Sequence, residues 1–364
     1  MMKPATTNRS TIHAIELENF TAFTRLDLRF STGINVIVGE NSTGKTHLMK
    51  LLYCLLKANH SILDKRAFSI DKKQSEIAFL LQAYFKPDHL GRLVKRQQGT
   101  SSAKVRITID TENQSNRAFD FGFSTRSKTN VQLSESAEIH GLSSLFIPPV
   151  ELLTISEGFI GAYDNRETAY DRTYYDLAKA LELNPLRGPR SGKASELVGP
   201  LEKHTGITVT KENNRFYLKF KGGGMMEAPI VAEGLKKLGM LIYLINNGSI
   251  GSNSILFWDE PEAHLNPRYI KIVVDFLCTL AHSGVQIFVS THDYLLSQRL
   301  SLIAEQPTDS NAPKPPMKFI SLYPGKDGVI GEVVNNLSEM KNNPILDEFA
   351  DYADEEERQM MNIE

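Results

Sequence analysis

A chain of 364 residues, 41% of them hydrophobic, can bury a full core as one elaborated domain or two lobes. Its formal net charge of -2 excludes the global basicity that draws a protein onto nucleic acid or anionic lipid, while leaving room for a local basic patch. No stretch approaches the ~20 apolar residues of a membrane span, and the polar start MMKPATTNRS lacks a secretory signal, so a soluble, cytoplasmic protein is expected.

TIHAIELENF and RLDLRF alternate apolar and polar residues, as half-buried strands do, and INVIV reads as a fully buried strand. GENSTGKT follows, then HLMKLLYCLLKAN, whose leucines recur at helical spacing. From Glu76 to Leu133 the chain turns polar and strand-like; AKVRITID, RAFDFGFS and NVQL, separated by Gly, Asn and Ser turns, predict an antiparallel side sheet. SLFIPPVELLTI is an apolar strand stopped by Pro148 and Pro149, which cannot continue a ladder. Helical patterning dominates from Asp164 to His204, interrupted by NPLRGPRSG, and leads into a hairpin, ITVTKENNRFYLKF; together they predict a lid.

The last third alternates a helix at Gly234 to Asn246, a strand at Ile255 to Trp258, a helix from Pro267, the strand VQIFVS and a helix from Asp293, which indicates a largely parallel sheet. A solvated loop, EQPTDSNAPKPPMK, precedes a strand pair and an acidic tail, DEFADYADEEERQ. Phe349 and Tyr352 lie at helical spacing in that tail, so it docks as a helix on this chain or on a partner. The expected division is residues 1–150 as an N-terminal lobe with the side sheet, 151–229 as helical lid and hairpin, 230–335 as the C-terminal part of the core, and 336–364 as the tail. Cys54 and Cys278 sit in apolar, helix-like surroundings with no CxxC or His partner and read as buried free thiols of a reducing compartment.

The strongest chemical signal is Gly39, Glu40, Asn41, Ser42, Thr43, Gly44, Lys45 and Thr46, which satisfy G-x-x-x-x-G-K-[ST] between a strand and a helix. The glycines let successive backbone N–H groups converge on phosphate oxygens at a helix N-terminus. Lys45 then reaches the β- and γ-phosphates of ATP, Thr46 sits on Mg²⁺, and His47 follows at the edge of the nucleotide site. A second acidic strand is required, and ILFWDEP supplies it: Asp259 emerges at a strand's carboxyl end, placed for Mg²⁺, and Glu260 is placed to orient and deprotonate the attacking water. In QIFVSTHDY, His292 falls at the next strand end, where an imidazole can donate to the γ-phosphate.

These motifs, with IELENFTAF at the start, resemble the ABC-type ATPases of the SMC, RecF and OLD kind across most of the chain. FIPPVELL, VAEGLKKLG, WDEPEAHLNP and STHDY further resemble a stand-alone bacterial AAA-family group found in defence and mobile-element operons. The resemblance implies an α/β fold, an ABC-ATPase-like P-loop NTPase with a mixed central sheet, an antiparallel side sheet and an inserted helical lid. It implies Glu260, His292 and Lys45 as catalytic residues, and His264 to Pro267 as a loop touching a second subunit. The chain departs from the family where L-S-x-G-x is expected: Ala232 replaces the serine and Glu233 precedes Gly234, with Lys236 or Lys237 able to add charge toward the opposite subunit's phosphate. Thr21 stands where relatives carry an Arg, and core packing accounts for Phe20 and Phe23. Glu151 is a candidate ligand for metal or water, while Pro148 and Pro149 equally suit a lid hinge. The basic runs RLVKRQ and LRGPRSGK read as solvated faces, or as contacts to nucleic-acid phosphate.

The implied activity is ATP hydrolysis in a homodimer or higher oligomer that switches a separately encoded effector, a nuclease or toxin, with no membrane partner. DNA stays open as a partner: an SMC- or RecF-like repair clamp, or a slow-turnover ATP-binding structural subunit, are the alternatives.

Overall fold

Alternating residues at the start of the chain pair as they predict. In the computed structural model, which describes residues 10–64, 69–111, 114–136, 138–307 and 314–361, β1 (Ser10–Phe20) and β2 (Phe23–Arg29) form a hairpin with Leu17 opposite Leu26 and Ile15 opposite Leu28. β3 (Ile34–Gly39) is buried throughout and feeds α1 (Lys45–Asp64), whose Leu48, Leu51, Leu52 and Leu55 pack under the sheets. The chain from Glu76 corrects the sequence reading, because Ile70–Phe85 forms a helix, α2. Its buried Ile77, Ala78, Leu80, Leu81 and Tyr84 recur at three- and four-residue intervals, an apolar stripe whose polar neighbours conceal it in sequence. β4 (Ser102–Thr111), β5 (Gln114–Ser124) and β6 (Gln132–Ser136) complete an antiparallel sheet ordered β2-β1-β4-β5-β6.

After β7 (Ser143–Ile147) come α3 (Phe159–Asp164), α4 (Arg172–Glu182) and α5 (Pro189–Thr205). The break at NPLRGPRSG is shorter than the composition indicates: Pro189 opens α5, where a missing N–H costs nothing. β8 (Ile207–Glu212) and β9 (Arg215–Phe220) turn through Asn213 and Asn214, both left-handed at φ 48° and 64°, as a two-residue hairpin requires. β10 (Gly224–Glu227) adds a third strand that the sequence pattern does not announce. α4 is moored to α1 and α2: Lys50 on α1 reaches Asp171 at 2.5 Å, and the hydroxyls of Tyr53 on α1 and Tyr84 on α2 both donate to Asp176.

The remaining elements are α6 (Glu233–Asn246), β11 (Ser254–Asp259), α7 (Pro267–His282), β12 (Gln286–Ser290), α8 (Tyr294–Glu305), β13 (Met317–Gly325), β14 (Gly328–Val334) and α9 (Pro344–Met361). The central sheet runs β14-β13-β3-β12-β11-β7, parallel except for the β13–β14 edge pair. Both of its faces are covered, which is why these strands are nearly continuous apolar runs. Leu256, Trp258, Ile287 and Val289 enter the core shared with the lid, whereas Ile255, Phe257 and Phe288 enter the core shared with α1 and the side sheet. Cys54 is buried, Cys278 is half-buried, and both are free thiols. Among the described residues no helix is long and apolar enough to cross a membrane.

Candidate functional site

The loop between β3 and α1 is shaped by two glycines. Gly39 has φ 156°, and a Cβ there would fall 2.3 Å from the Leu322 carbonyl oxygen. Gly44 has φ 92°, and its Cβ would meet the Phe23 ring at 2.8 Å, so the fully buried Phe23 is the floor beneath the loop. Ser42 is left-handed at φ 67°, and the Thr43 hydroxyl donates to the Glu40 carbonyl at 2.8 Å. The Lys45 ammonium folds back onto the carbonyls of Gly39 (2.8 Å) and Glu40 (2.9 Å). Burial brings it down to about 8 against the opposing pull of Asp259, Glu260 and Glu262.

The pleat of β11 sends Trp258 to the lid side and Asp259 to the α1 side, where the Thr46 hydroxyl donates to Asp259 Oδ2 at 2.8 Å. Ser290, at the end of β12, donates its hydroxyl to Asp259 Oδ1. Asp259 is only 3% exposed, and burial raises its carboxyl against those two hydrogen bonds. A hydroxyl and a buried carboxylate side by side form the all-oxygen donor set that Mg²⁺ takes, so the residues present fit that ion.

Glu260 leaves the strand with φ 49°, a left-handed conformation rare outside glycine. Its carboxylate lies 3.9 Å from His292 Nε2, and both side chains remain over a third exposed. The His292 imidazole is held below its usual range, first by burial and then by the Lys45 charge. Glu262 accepts from the Thr291 hydroxyl at 2.8 Å and the His292 amide at 3.0 Å, tying the loop after β11 to the loop after β12.

A cleft of about 690 Å³ opens beside these groups, with Asn41, Ser42, Gly44, Lys45, Thr46, His47, Glu260 and His292 on its wall. The opposite wall is Thr21, Ala22, Phe85 and the run Arg92 to Arg96. The His47 ring packs edge-on against Phe85 at 5.5 Å, and burial lowers its basicity. A smaller cleft of about 460 Å³ joins Gly39, Glu40, Asn41 and His292 to Pro344, Ile345, Glu348 and Phe349, so the acidic tail starts at the rim of the phosphate loop. Phe349 packs against Tyr294 with ring centroids 4.5 Å apart and planes tilted by 37°, and every residue described from Ala350 to Met360 is exposed.

Residues 34–297 match the family described as "AAA domain, putative AbiEii toxin, Type IV TA system". The chain belongs to this family. Among curated proteins it resembles the DNA replication and repair protein RecF. With the Streptococcus suis protein it is 32% identical over 72 residues, 19% of this chain and 20% of that one. The Oceanobacillus iheyensis protein gives 31% over 103 residues, 28% of this chain and 24% of that one. The chain thus spans between a fifth and a quarter of the length of the curated relatives it matches. Among solved structures, the Smc head domain of Pyrococcus furiosus bound to the C-terminal domain of ScpA superposes with a TM-score of 0.55 at 13% identity, covering 91% of this chain and 97% of that one. The SmcHead bound to the C-winged helix domain of ScpA gives 0.52 at 15%, covering 91% and 99%. The fold is therefore that of an ABC-type, SMC- and RecF-like P-loop ATPase.

Around the ABC-type signature the chain uses its charges internally. Ala232 caps α6 without a side-chain bond, and a Cβ at Gly234 would lie 2.6 Å from the His264 carbonyl oxygen, so close packing of its own chain already demands a glycine there. Lys236, only 6% exposed, pairs with Glu151 (2.8 Å) and Glu233 (2.9 Å) and donates to the Thr154 hydroxyl (2.8 Å). Glu151 also accepts from the Leu153 amide at 2.6 Å, so the carboxylate considered for metal anchors the lid's first turn to α6. Lys237 turns inward to the Glu260 carbonyl at 2.7 Å. Sequence reasoning missed Ser290, Phe85 and the placement of Arg92, Lys95 and Arg96; of these, only the basic run gave a signal.

Proposed function

We propose that this chain is an ATP-hydrolysing molecular switch. The observation that carries the reading is the bond between Thr46 and Asp259 beside Lys45, with Glu260 and His292 facing the same cleft. When ATP enters, Lys45 exchanges the carbonyls of Gly39 and Glu40 for phosphate oxygens, and the loop amides follow. Thr46 and Asp259 would hold Mg²⁺, which supplies neutralisation of charge on the β- and γ-phosphates. Glu260 takes a proton from the attacking water as its oxygen bonds the γ-phosphorus; the bond to the bridging oxygen breaks, and ADP and phosphate leave. His292 and Lys45 stabilise the departing charge.

Two copies closing over two nucleotides would place Ala232, Glu233 and Gly234 against the partner's γ-phosphate, with the amides at the start of α6 replacing the lost serine. The output falls on a separately encoded effector, a nuclease or toxin, in phage defence; the family's description, which names a Type IV toxin–antitoxin system, supports a toxin–antitoxin setting. Free thiols favour a cytoplasmic site of action. Glu260→Gln should bind Mg-ATP normally, lose about 10² to 10⁴ in turnover and sediment as an ATP-dependent dimer. Unchanged turnover sinks the base assignment, and a persistent monomer sinks the sandwich.

The resemblance to RecF favours a second reading, a DNA-binding repair ATPase. That reading requires ATP-dependent retention of duplex DNA whose log affinity falls linearly with log salt.

A further inference from the structure

We infer that Lys237 is a positioning residue for Glu260, a strut from α6 that holds the turn after β11 in its left-handed conformation. The inference rests on the hydrolytic reading of Glu260 given above. Lys237 sits three residues past Gly234 and is 2% exposed. Its ammonium donates to the Glu260 carbonyl at 2.7 Å and to the Ala263 carbonyl at 3.4 Å, at either end of the turn. The Ala263 amide donates to the same Glu260 oxygen at 3.1 Å. Within this turn Glu260 has φ 49°, and His264, just beyond it, has φ 64°. Non-glycine residues keep such conformations only where their surroundings over-determine them.

The bonding of Lys237 differs from that of a structural ion pair. Lys236, its neighbour, meets two carboxylates directly. Lys237 instead spends its bonds on two carbonyls, while Glu262, Glu260 and Asp259 act on it only through their fields. Burial lowers this ammonium to about 8, so the fold keeps a poorly solvated charge where a methionine would fill the same space. What the charge secures is the peptide from which the Glu260 carboxylate departs. Gly234 packs on the His264 carbonyl just beyond the same turn. Movement at the start of α6 therefore reaches Glu260 through Lys237 and the 264 carbonyl together, linking the surface that would face a second subunit to the water-activating group.

The test is single-turnover ATP hydrolysis by Lys237→Met, alone and combined with Glu260→Gln, with ATP affinity and thermal unfolding measured alongside. A positioning role predicts a fall of about 10²-fold in the rate of the chemical step, an ATP affinity within about threefold of the parent, and no further fall in the Glu260→Gln background. An unchanged rate overturns the inference. So does a loss that multiplies with that of Glu260→Gln, or one accompanied by equally weakened ATP binding, since either places the role of Lys237 elsewhere. Lys237→Gln, which keeps a donor on a shorter stem, is read by the same criteria, so a methionine variant that fails to fold does not shield the claim. If Glu260→Gln alone hydrolyses like the parent, the hydrolytic reading itself fails and takes this inference with it; if only Lys237→Met does, the strut fails alone.

Discussion

The Thr46 hydroxyl donates to Asp259 Oδ2 across 2.8 Å, joining the first turn of α1 to the end of β11 over 213 positions of sequence. Because Asp259 is buried and also takes the Ser290 hydroxyl, its oxygens are aimed before any ligand arrives.

Thr46→Ala removes one of two hydroxyls on a buried carboxylate, so a stability loss of about 1–3 kcal/mol is expected. The diagnostic effect lies in binding. In the parent, ATP affinity with excess Mg²⁺ should exceed affinity in chelator, and in Thr46→Ala that ratio should collapse toward one. A ratio equal to the parent's would show that the pair does not hold the ion.

Lys45→Ala removes the ammonium from the carbonyls of Gly39 and Glu40 and takes away the one loop cation that can follow phosphate. ATP binding by calorimetry should be abolished. Binding as tight as the parent's would refute the phosphate-loop assignment.

Gly44→Ala meets two separate obstacles: a backbone at φ 92° and a contact of 2.8 Å with the Phe23 ring. Together these should cost about 1–3 kcal/mol and weaken ATP binding by displacing the loop. Phe23→Leu added to Gly44→Ala relieves the contact and leaves the dihedral strained, so it should recover part of the melting temperature. Full recovery would mean that the dihedral carries no strain.

How legible the site is in sequence depends on how local its determinants are. The phosphate loop, Asp259, Glu260 and His292 sit at ends of apolar strands, where a one-dimensional pattern marks both the strand and its terminus. The side that each residue faces follows from the pleat, which is why Asp259 lands beside Thr46 while Trp258, one residue earlier, enters the lid-side core. α2 is disguised because its stripe of Ile77, Leu80, Leu81 and Tyr84 lies within a polar stretch. Lys237 is illegible for a different reason: a lysine beside a signature helix reads as a charge for phosphate, and only the path of α6 turns it toward the Glu260 carbonyl. Arg92, Lys95 and Arg96 reach the cleft from the connection between α2 and β4, a placement that no local pattern encodes.

Glu262 gives a prediction with a definite sign in pH. Burial raises its carboxyl above the usual 4.5, partly offset by its hydrogen bonds from Thr291 and the His292 amide. The folded protein therefore binds this proton more readily than the unfolded chain. Between the unfolded and folded values the folded state holds more protons, so this group's contribution to stability falls as pH rises through that window. Both bonds are accepted by Oε1, while Oε2 is buried with no partner among the described residues. Glu262→Gln keeps the Oε1 acceptor and removes the buried charge. Its melting temperature should exceed the parent's at pH 8, and the gap should narrow as pH falls toward 5. Scanning both proteins over that range checks it; a gap that widens toward acid would mean that the ionised carboxylate stabilises the turn.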